Sequence, residues 1–227
     1  MTLLDPGDLA IVGLSLKVAA TATAASLPLA TAVAYVLARG RFPGRSLLDA
    51  LTHLPLVLPP VATGYGLLLL LGHNGILGRP LESLGLVFAF RWIGAALAAG
   101  IMAFPLMVRP IRLAIEAMDP EIDEAARTLG ASRLVRIFRV TLPLAGPGIA
   151  AAVILGFAKS LGEFGATITF VAAIPGETLT LPTAIYQATQ SPGGEARTLV
   201  LCGIAASLAI IAVLISNLFS QRAARAG

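Results

Sequence analysis

Long apolar runs separated by short charged segments make up most of this chain. The runs cover roughly residues 9–38, 48–72, 86–108, 144–173 and 198–219. Each run holds about the 20 apolar residues that a helix needs to cross a bilayer. The pattern therefore predicts an all-α integral membrane protein with five transmembrane helices, built as a single domain over residues 1–227.

One long polar segment, residues 116–143, lies between the third and fourth runs. Asp119 suits a helix N-cap, Pro120 the first helical position and Gly130 the left-handed residue after a helix end. The segment thus predicts a short helix with one narrow apolar stripe at i, i+3, i+4 and i+7. The stripe consists of Ile122, Ala125, Ala126 and Leu129. Asp123 and Arg127 are expected to pair on the other side.

A second, basic helix is predicted to start at Ser132 and to lie at the membrane interface. Leu142-Pro143 then marks the bend into the fourth run. Two interpretations fit the first helix of this segment. It either rests on the bilayer surface, or it inserts its small alanine-rich stripe into a groove of another protein.

Charge distribution gives an orientation. The chain is 57% hydrophobic and 12% charged, with a net charge of +4. Eleven of the sixteen basic residues fall on one predicted face: Arg39, Arg41, Arg45, Arg109, Arg112, Arg127, Arg133, Arg136, Arg139, Arg222 and Arg225. Basic residues concentrate in cytoplasmic loops. We therefore expect the N-terminus outside and the C-terminus in the cytoplasm, and the basic excess requires no nucleic acid.

Candidate chemistry is sparse. Cys202 is the single cysteine, and His53 and His73 lack the spacing of metal ligands, so no metal site, catalytic residue or cofactor is expected in the chain. The stretch 40–46 has the wrong spacing for a phosphate-binding loop and carries arginine where that motif needs lysine.

The fourth run contains Lys159 and Glu163 four residues apart, beside Gly162 and Gly165. We interpret the run as one crossing with a break near its outer end. Charged residues inside a membrane usually face the protein interior. Here they form either an external gate for an anion or a self-neutralising pair that stabilises the break.

Prolines and glycines interrupt the second run, which indicates either a static kink or a helix that lines a cavity. Hydroxyl groups nearby would offer hydrogen bonds to an anion without a deep charged trap. The candidate path or gate residues are Pro59, Pro60, Thr63, Lys159, Ser160, Glu163, Phe164 and Thr167.

The polar segment also carries the spacing Glu-Ala-Ala, three residues, Gly, nine residues, an apolar residue, any residue, Leu-Pro. This spacing resembles the loop by which permeases of ABC transporters contact their ATPase. The residues that match it are Glu124, Ala125, Ala126, Arg127, Leu129, Gly130, Val140, Leu142 and Pro143. Val140 stands where the family usually has isoleucine.

Further segments, 53–60, 104–109, 160–171, 174–178 and 190–195, make the chain similar to permease subunits of bacterial molybdate ABC importers. The resemblance implies the type I importer permease fold, a homodimer in the inner membrane, two ABC ATPase subunits that bind ATP and Mg, and a periplasmic molybdate-binding protein. In this family the polar segment is a coupling helix seated on the ATPase.

Alternatives remain open on the sequence alone. The same machine would serve sulfate or tungstate, which share the charge and shape of molybdate. A channel or secondary transporter would need no ATPase, and an intramembrane enzyme would need a nucleophile and base that the runs do not offer. The outer segment 174–197 is either a docking site for the binding protein or a plain connection; a short helix is expected over Pro182–Thr189.

Overall fold

The computed structural model describes the backbone of residues 6–225 and the side chains of residues 7–211. All regular secondary structure in this part of the chain is helical, and it contains no strand. In chain order the helices are α1 Pro6–Arg39, α2 Arg45–Val57, α3 Pro60–Leu71, α4 Gly78–Ser83, α5 Trp92–Glu116, α6 Pro120–Thr128, α7 Arg133–Arg136, α8 Leu142–Leu144, α9 Gly146–Leu161, α10 Gly165–Val171, α11 Leu181–Thr189 and α12 Glu195–Arg225.

Two stretches are by themselves long and apolar enough to cross a membrane, Gly7–Arg39 in α1 and Trp92–Glu116 in α5. Two bent pairs also qualify if each is counted as one span, α2 with α3 and the segment Arg133–Leu144 with α9. The fifth apolar run, 198–219, lies in α12. The side chains after residue 211, including those of Arg222 and Arg225, fall outside the described part of the structure.

Helices α1 and α5 run side by side in the same direction. At one end, Arg39 Nη2 donates to the carbonyl of Ile115, 3.3 Å away. Towards the other end, the ammonium of Lys17 lies 3.6 Å from the centroid of the Trp92 ring. Small residues allow the close approach: a Cβ on Gly100 would lie 2.7 Å from Ser26 Oγ. The two helices therefore end on the same face of the molecule.

The second apolar run, predicted as one span over 48–72 interrupted by prolines and glycines, consists of two helices. It forms α2 and α3, which meet at an angle of 111°. Leu58, which precedes a proline, is extended with ψ 141°, and Pro59 and Pro60 have no N–H to continue the ladder. The prolines therefore produce a sharp elbow rather than a mild kink.

The third run was also misplaced. Helix α5 begins at Trp92 rather than at 86 and continues to Glu116 rather than stopping at 108. Phe90 has a left-handed backbone, φ 59°, which delays the start. Arg109 and Arg112, which follow the predicted end of the third run, therefore lie inside the helix. Helix α5 continues through these charged residues. Arg112 is paired there with Glu116, one turn later in the same helix.

The break predicted near the outer end of the fourth run is present. Helix α9 ends at Leu161, α10 begins at Gly165, and the break falls at residues 162–164. A bend of 68° precedes α9, next to the predicted bend at Leu142-Pro143. The short outer helix also forms, as α11 Leu181–Thr189. Ser15 of α1 accepts a hydrogen bond from the Leu181 amide, 2.7 Å, which fixes α11 against α1.

Candidate functional site

Helix α6 has well-defined ends. The Asp119 carboxylate accepts a hydrogen bond from the Glu121 amide at 2.9 Å, and Pro120 occupies the first turn. After the helix, Gly130 takes φ 81°, and the Ala131 amide donates to the Ala126 carbonyl at 3.0 Å. These contacts satisfy backbone groups at both termini. The helix boundaries predicted from the sequence are confirmed.

No side chain of α6 is buried. Ile122 is 43% exposed and Leu129 87% exposed. The next segment adds further exposed apolar side chains, Leu134, Val135 and Phe138. We call these five residues the apolar docking set. Glu124 is exposed and has no ion-pair partner among the described side chains. Exposed apolar side chains in a segment that is otherwise charged are typical of a contact site for another molecule.

Asp123 pairs with Arg136 at 2.7 Å, and not with Arg127 as the four-residue spacing predicted. The left-handed turn at Gly130 folds α7 back towards α6, which places Arg136 within reach. Ser132 caps α7 by accepting from the Val135 amide at 3.4 Å. The ion pair therefore fixes the angle between α6 and the following segment.

A widened helical turn, Ile137–Thr141, connects α7 to α8. The Leu142 amide donates to the carbonyl of Ile137, five residues back. Pro143, which follows at once, has no N–H and would clash with a carbonyl in an ordinary turn. The wide turn accommodates this ring, and wide turns of this kind often occur at functional sites. Val140 and Leu142 are half-buried in and beside this turn, while Pro143 is exposed.

Helix α3 packs tightly on α10. A Cβ on Gly64 would lie 2.4 Å from the Ala166 carbonyl oxygen, and one on Gly165 would lie 2.7 Å from Pro60 Cβ. The glycines therefore permit backbone contact between the two helices. Of the predicted path residues, Pro60 and Thr63 lie on α3 and Thr167 lies on α10, so this contact brings both groups to one interface. Pro59 is exposed at the elbow.

Lys159 and Glu163 bond to each other through Nζ and Oε2. The Glu163 side chain is only 2% exposed, whereas that of Lys159 is 30% exposed. The other Glu163 oxygen accepts from the Ala166 amide at 3.1 Å. The pair therefore spans the break and attaches the end of α9 to the start of α10. Phe164, inside the break, packs its ring 5.0 Å from that of Tyr186 on α11.

Two predicted hydroxyl groups in this region have no hydrogen-bond partner among the side chains and backbone that the structure describes. They are Thr63 Oγ1 and Ser160 Oγ, both of which are buried atoms. Thr167 is 1% exposed. Unpaired buried hydroxyls are uncommon and need a reason, such as a ligand or water that binds there at some stage. The chemistry of these groups suits an anion that accepts hydrogen bonds.

A cluster of four charged residues between α2 and α5 is not among the sites predicted from the sequence. Arg45 and Asp49 of α2 face Arg112 and Glu116 of α5, forming ion pairs across the helices. Both sets are spaced i, i+4, which is a signal for neighbouring side chains on one helix face. The predicted third run stops at residue 108, so the sequence pattern alone does not place Arg112 and Glu116 on a helix.

Residues 26–225 match the family described as binding-protein-dependent transport system inner membrane component. The chain belongs to this family. It is therefore a membrane subunit of a transport system, whose long apolar helices lie in the membrane.

The chain is similar in sequence to bacterial transport permeases. The molybdenum transport system permease protein ModB of Escherichia coli K12 is 54% identical over 218 residues, covering 96% of this chain and 95% of that protein. ModB of Haemophilus influenzae is 50% identical over 216 residues, covering 95% and 94%. The sulfate transport system permease protein CysT of Escherichia coli K12 is 36% identical over 189 residues, covering 83% and 68%.

Solved structures share the fold. A chain of a bacterial ABC transporter that imports the acidic polysaccharide alginate superposes with a TM-score of 0.76 at 20% identity, covering 96% of this inner membrane component and 80% of that chain. A chain of an amino acid ABC transporter solved with histidines gives 0.65 at 20% identity, covering 96% and 94%. The chain thus has the all-helical fold of the type I ABC importer permeases.

Proposed function

We propose that this chain is the membrane-spanning subunit of an ATP-driven molybdate importer. It passes the oxyanion from a periplasmic binding protein to the cytoplasm by alternating access. The observation that carries the proposal is the 54% identity to a molybdenum transport permease along 96% of the chain. Sulfate is the second candidate ion, because a sulfate permease is 36% identical over 83% of the chain.

Helix α6 is the coupling helix of this machine. Two members of the apolar docking set, Ile122 and Leu129, and the Glu124 carboxylate are exposed at one end of the molecule, where a partner ATPase would cover them. The ATPase supplies the site for ATP and Mg, since the chain has no phosphate-binding loop of its own. We expect a homodimer of this chain with two ATPase subunits, the pair of permeases enclosing the path between them.

The topology of the proposal has five crossings, with the N-terminus outside. Helices α1 and α5 end on the same face, so the chain between them must return to the opposite face. The bent pair α2 and α3 is therefore one broken crossing. Helix α12 starts near the N-terminal part of α1, as the 3.2 Å contact of Arg197 with Asp8 indicates. The excess of arginine on the other face favours its cytoplasmic location.

The ion path runs past the interface of α3 and α10. Thr63 on α3 and Ser160 at the end of α9 offer unpaired hydroxyl groups along this path, and weak donors suit a path that must release its ion. Lys159 and Glu163 close the outer end: Lys159 meets the arriving oxyanion and Glu163 holds it off until the break moves. If Lys159→Met left the transport kinetics unchanged, the gate interpretation would be refuted. The native Lys159–Glu163 pair would then have a purely structural role.

Reconstitution tests the function directly. The purified chain is placed in proteoliposomes with the ATPase and the binding protein of the same system, and uptake of labelled molybdate is followed with and without ATP. Uptake is expected only when ATPase and ATP are both present, and excess sulfate should compete weakly. Uptake by the permease alone would instead identify a channel or a secondary transporter.

A further inference from the structure

Four charged side chains form two ion pairs between α2 and α5. Arg112 Nη1 lies 3.0 Å from Asp49 Oδ1, and Arg45 Nη2 lies 3.7 Å from Glu116 Oε1. Within α5, Arg112 Nε also donates to Glu116 Oε1 at 2.8 Å. We call Arg45, Asp49, Arg112 and Glu116 the charge ladder. Each helix contributes one positive and one negative residue four positions apart.

The sign pattern of the charge ladder permits one register. The helices run antiparallel at this point, since residue 45 faces residue 116 and residue 49 faces residue 112. A slide of one turn, about 5.4 Å, would place Arg45 opposite Arg112 or Asp49 opposite Glu116. Both arrangements bring like charges together, which is unfavourable. The charge ladder therefore resists sliding of α2 along α5 in either direction.

Further contacts anchor the charge ladder to the backbone. Arg45 Nε donates to the Leu37 carbonyl at 2.9 Å, close to the end of α1. Arg39 donates in turn to the Ile115 carbonyl of α5. Carbonyls at helix ends otherwise lack partners, and arginine side chains satisfy them here. Arg112 is only 24% exposed, so water screens its pairs less than those of a surface residue. The ends of α1, α2 and α5 are thus joined.

The location of the charge ladder gives it a mechanical role. Glu116 precedes the cap of α6, Asp119, by three residues. On the other side, α2 continues from Asp49 to the elbow at Leu58, where α3 turns off and packs on α10. A displacement of α6 can therefore pass along α5, across the charge ladder and through α2 to the interface that holds Thr63 and Gly165.

We propose that the charge ladder is the joint that transmits movement of α6 to the elbow between α2 and α3. Asp49 and Arg112 are positioning residues in this joint and do not contact the transported ion. The proposal rests on the proposed function, because it presupposes an ATPase that moves α6. Loss of the charges should then separate ATP hydrolysis from transport without preventing either partner from binding.

The test measures ATP hydrolysed per ion transported, using the complete transporter in proteoliposomes with its binding protein. Asp49→Asn and Arg112→Gln should hydrolyse ATP within about twofold of the wild-type rate while transport falls about tenfold or more, within the range of typical coupling energies. A matched control is Glu82→Gln, which removes the exposed 2.7 Å pair with His73 outside the joint. Its ratio should equal that of the wild type.

A charge-reversed ladder separates transmission from general stability. The quadruple variant Arg45→Glu, Asp49→Arg, Arg112→Asp and Glu116→Arg keeps both pairs with opposite signs. It should recover a ratio within about threefold of the wild type, as expected if the pairing carries most of the coupling.

Three results would overturn the proposal. The first is an unchanged ratio in both single variants. The second is a failure of the reversed ladder to restore the ratio. The third is single variants that no longer assemble with the ATPase, which would make the ladder a folding element. A wild-type complex without ATP-dependent uptake would instead refute the proposed function.

Discussion

The contact between α3 and α10 provides the sharpest test of the structure, because two glycines of α3 differ in their surroundings. A Cβ on Gly64 would lie 2.4 Å from the Ala166 carbonyl oxygen and 2.9 Å from Ala166 Cα. A Cβ on Gly66, two residues later in the same helix, would meet nothing within 4 Å. Gly64→Ala and Gly66→Ala therefore make the same chemical change, one at a closed position and one at an open position.

The expected difference follows from the geometry. A carbon beside a carbonyl oxygen normally stays about 3.3 Å or more away, so α10 must withdraw by roughly 1 Å. The blocking atoms belong to the backbone and have no rotamer that would relieve the clash. Overpacking of this kind costs about 1–3 kcal/mol. The gain in helix propensity from alanine is common to both variants and cancels in the comparison.

Thermal unfolding in detergent and ATP-driven uptake are the two assays. At about 2–4 °C per kcal/mol for a chain of this size, Gly64→Ala should unfold roughly 2–12 °C below Gly66→Ala. Its uptake should also fall, because the interface that carries Thr63 is displaced, while Gly66→Ala transports normally. Equal midpoints and equal uptake in the two variants would show that α3 and α10 do not make this contact.

Three further changes test other contacts. Gly130→Val forces a β-branched residue to adopt φ 81°, which costs about 1–2 kcal/mol or more; uptake should be lost with normal membrane insertion, and Gly130→Asn should be milder. Asp119→Ala removes a helix cap that contributes about 0.5–2 kcal/mol to the stability of α6. Hydrogen exchange of the backbone amides of α6 should therefore be roughly 2- to 30-fold faster, and unchanged exchange would refute the cap. Lys159→Met leaves the buried Glu163 carboxylate without its ion-pair partner and should lower the free energy of unfolding by the lower end of about 3–5 kcal/mol, since Lys159 is 30% exposed. Adding Glu163→Gln should restore part of the lost stability, and no recovery would argue against the ion pair.

Local signals in the sequence predicted the parts of the structure that depend on neighbouring residues. The ends of α6 follow from Asp119, Pro120 and Gly130, each of which acts on the backbone beside it. The break between α9 and α10 follows from glycines in the same way. The bounds of these elements were accordingly close to those of the structure.

Parts that depend on distant residues were not predicted. The prolines predict an interruption of the second run. The angle of 111° between α2 and α3, however, depends on packing against α10, where Gly165 has no side chain to block Pro60. Arg112 falls beyond the predicted third run, because the position of a basic residue in the sequence does not reveal its ion-pair partner. Its partner Asp49 lies 63 positions away. Asp123 forms its ion pair with Arg136 instead of Arg127, because the turn at Gly130 reverses the direction of the chain.

The charges of α6 bear on which surface covers it. The helix contains Glu121, Asp123, Glu124 and Arg127, three acids against one base. An anionic membrane surface attracts basic segments and disfavours acidic ones. Helices that lie on membranes carry a broad apolar face and a basic polar face, whereas the stripe of α6 is narrow and centred on two alanines. The other three basic residues of the polar segment, Arg133, Arg136 and Arg139, follow Gly130, where attraction to lipid is expected. The turn at Gly130 thus separates a basic part suited to the bilayer from an acidic, alanine-lined part suited to a protein groove. This division supports a seat for α6 on another subunit rather than on lipid.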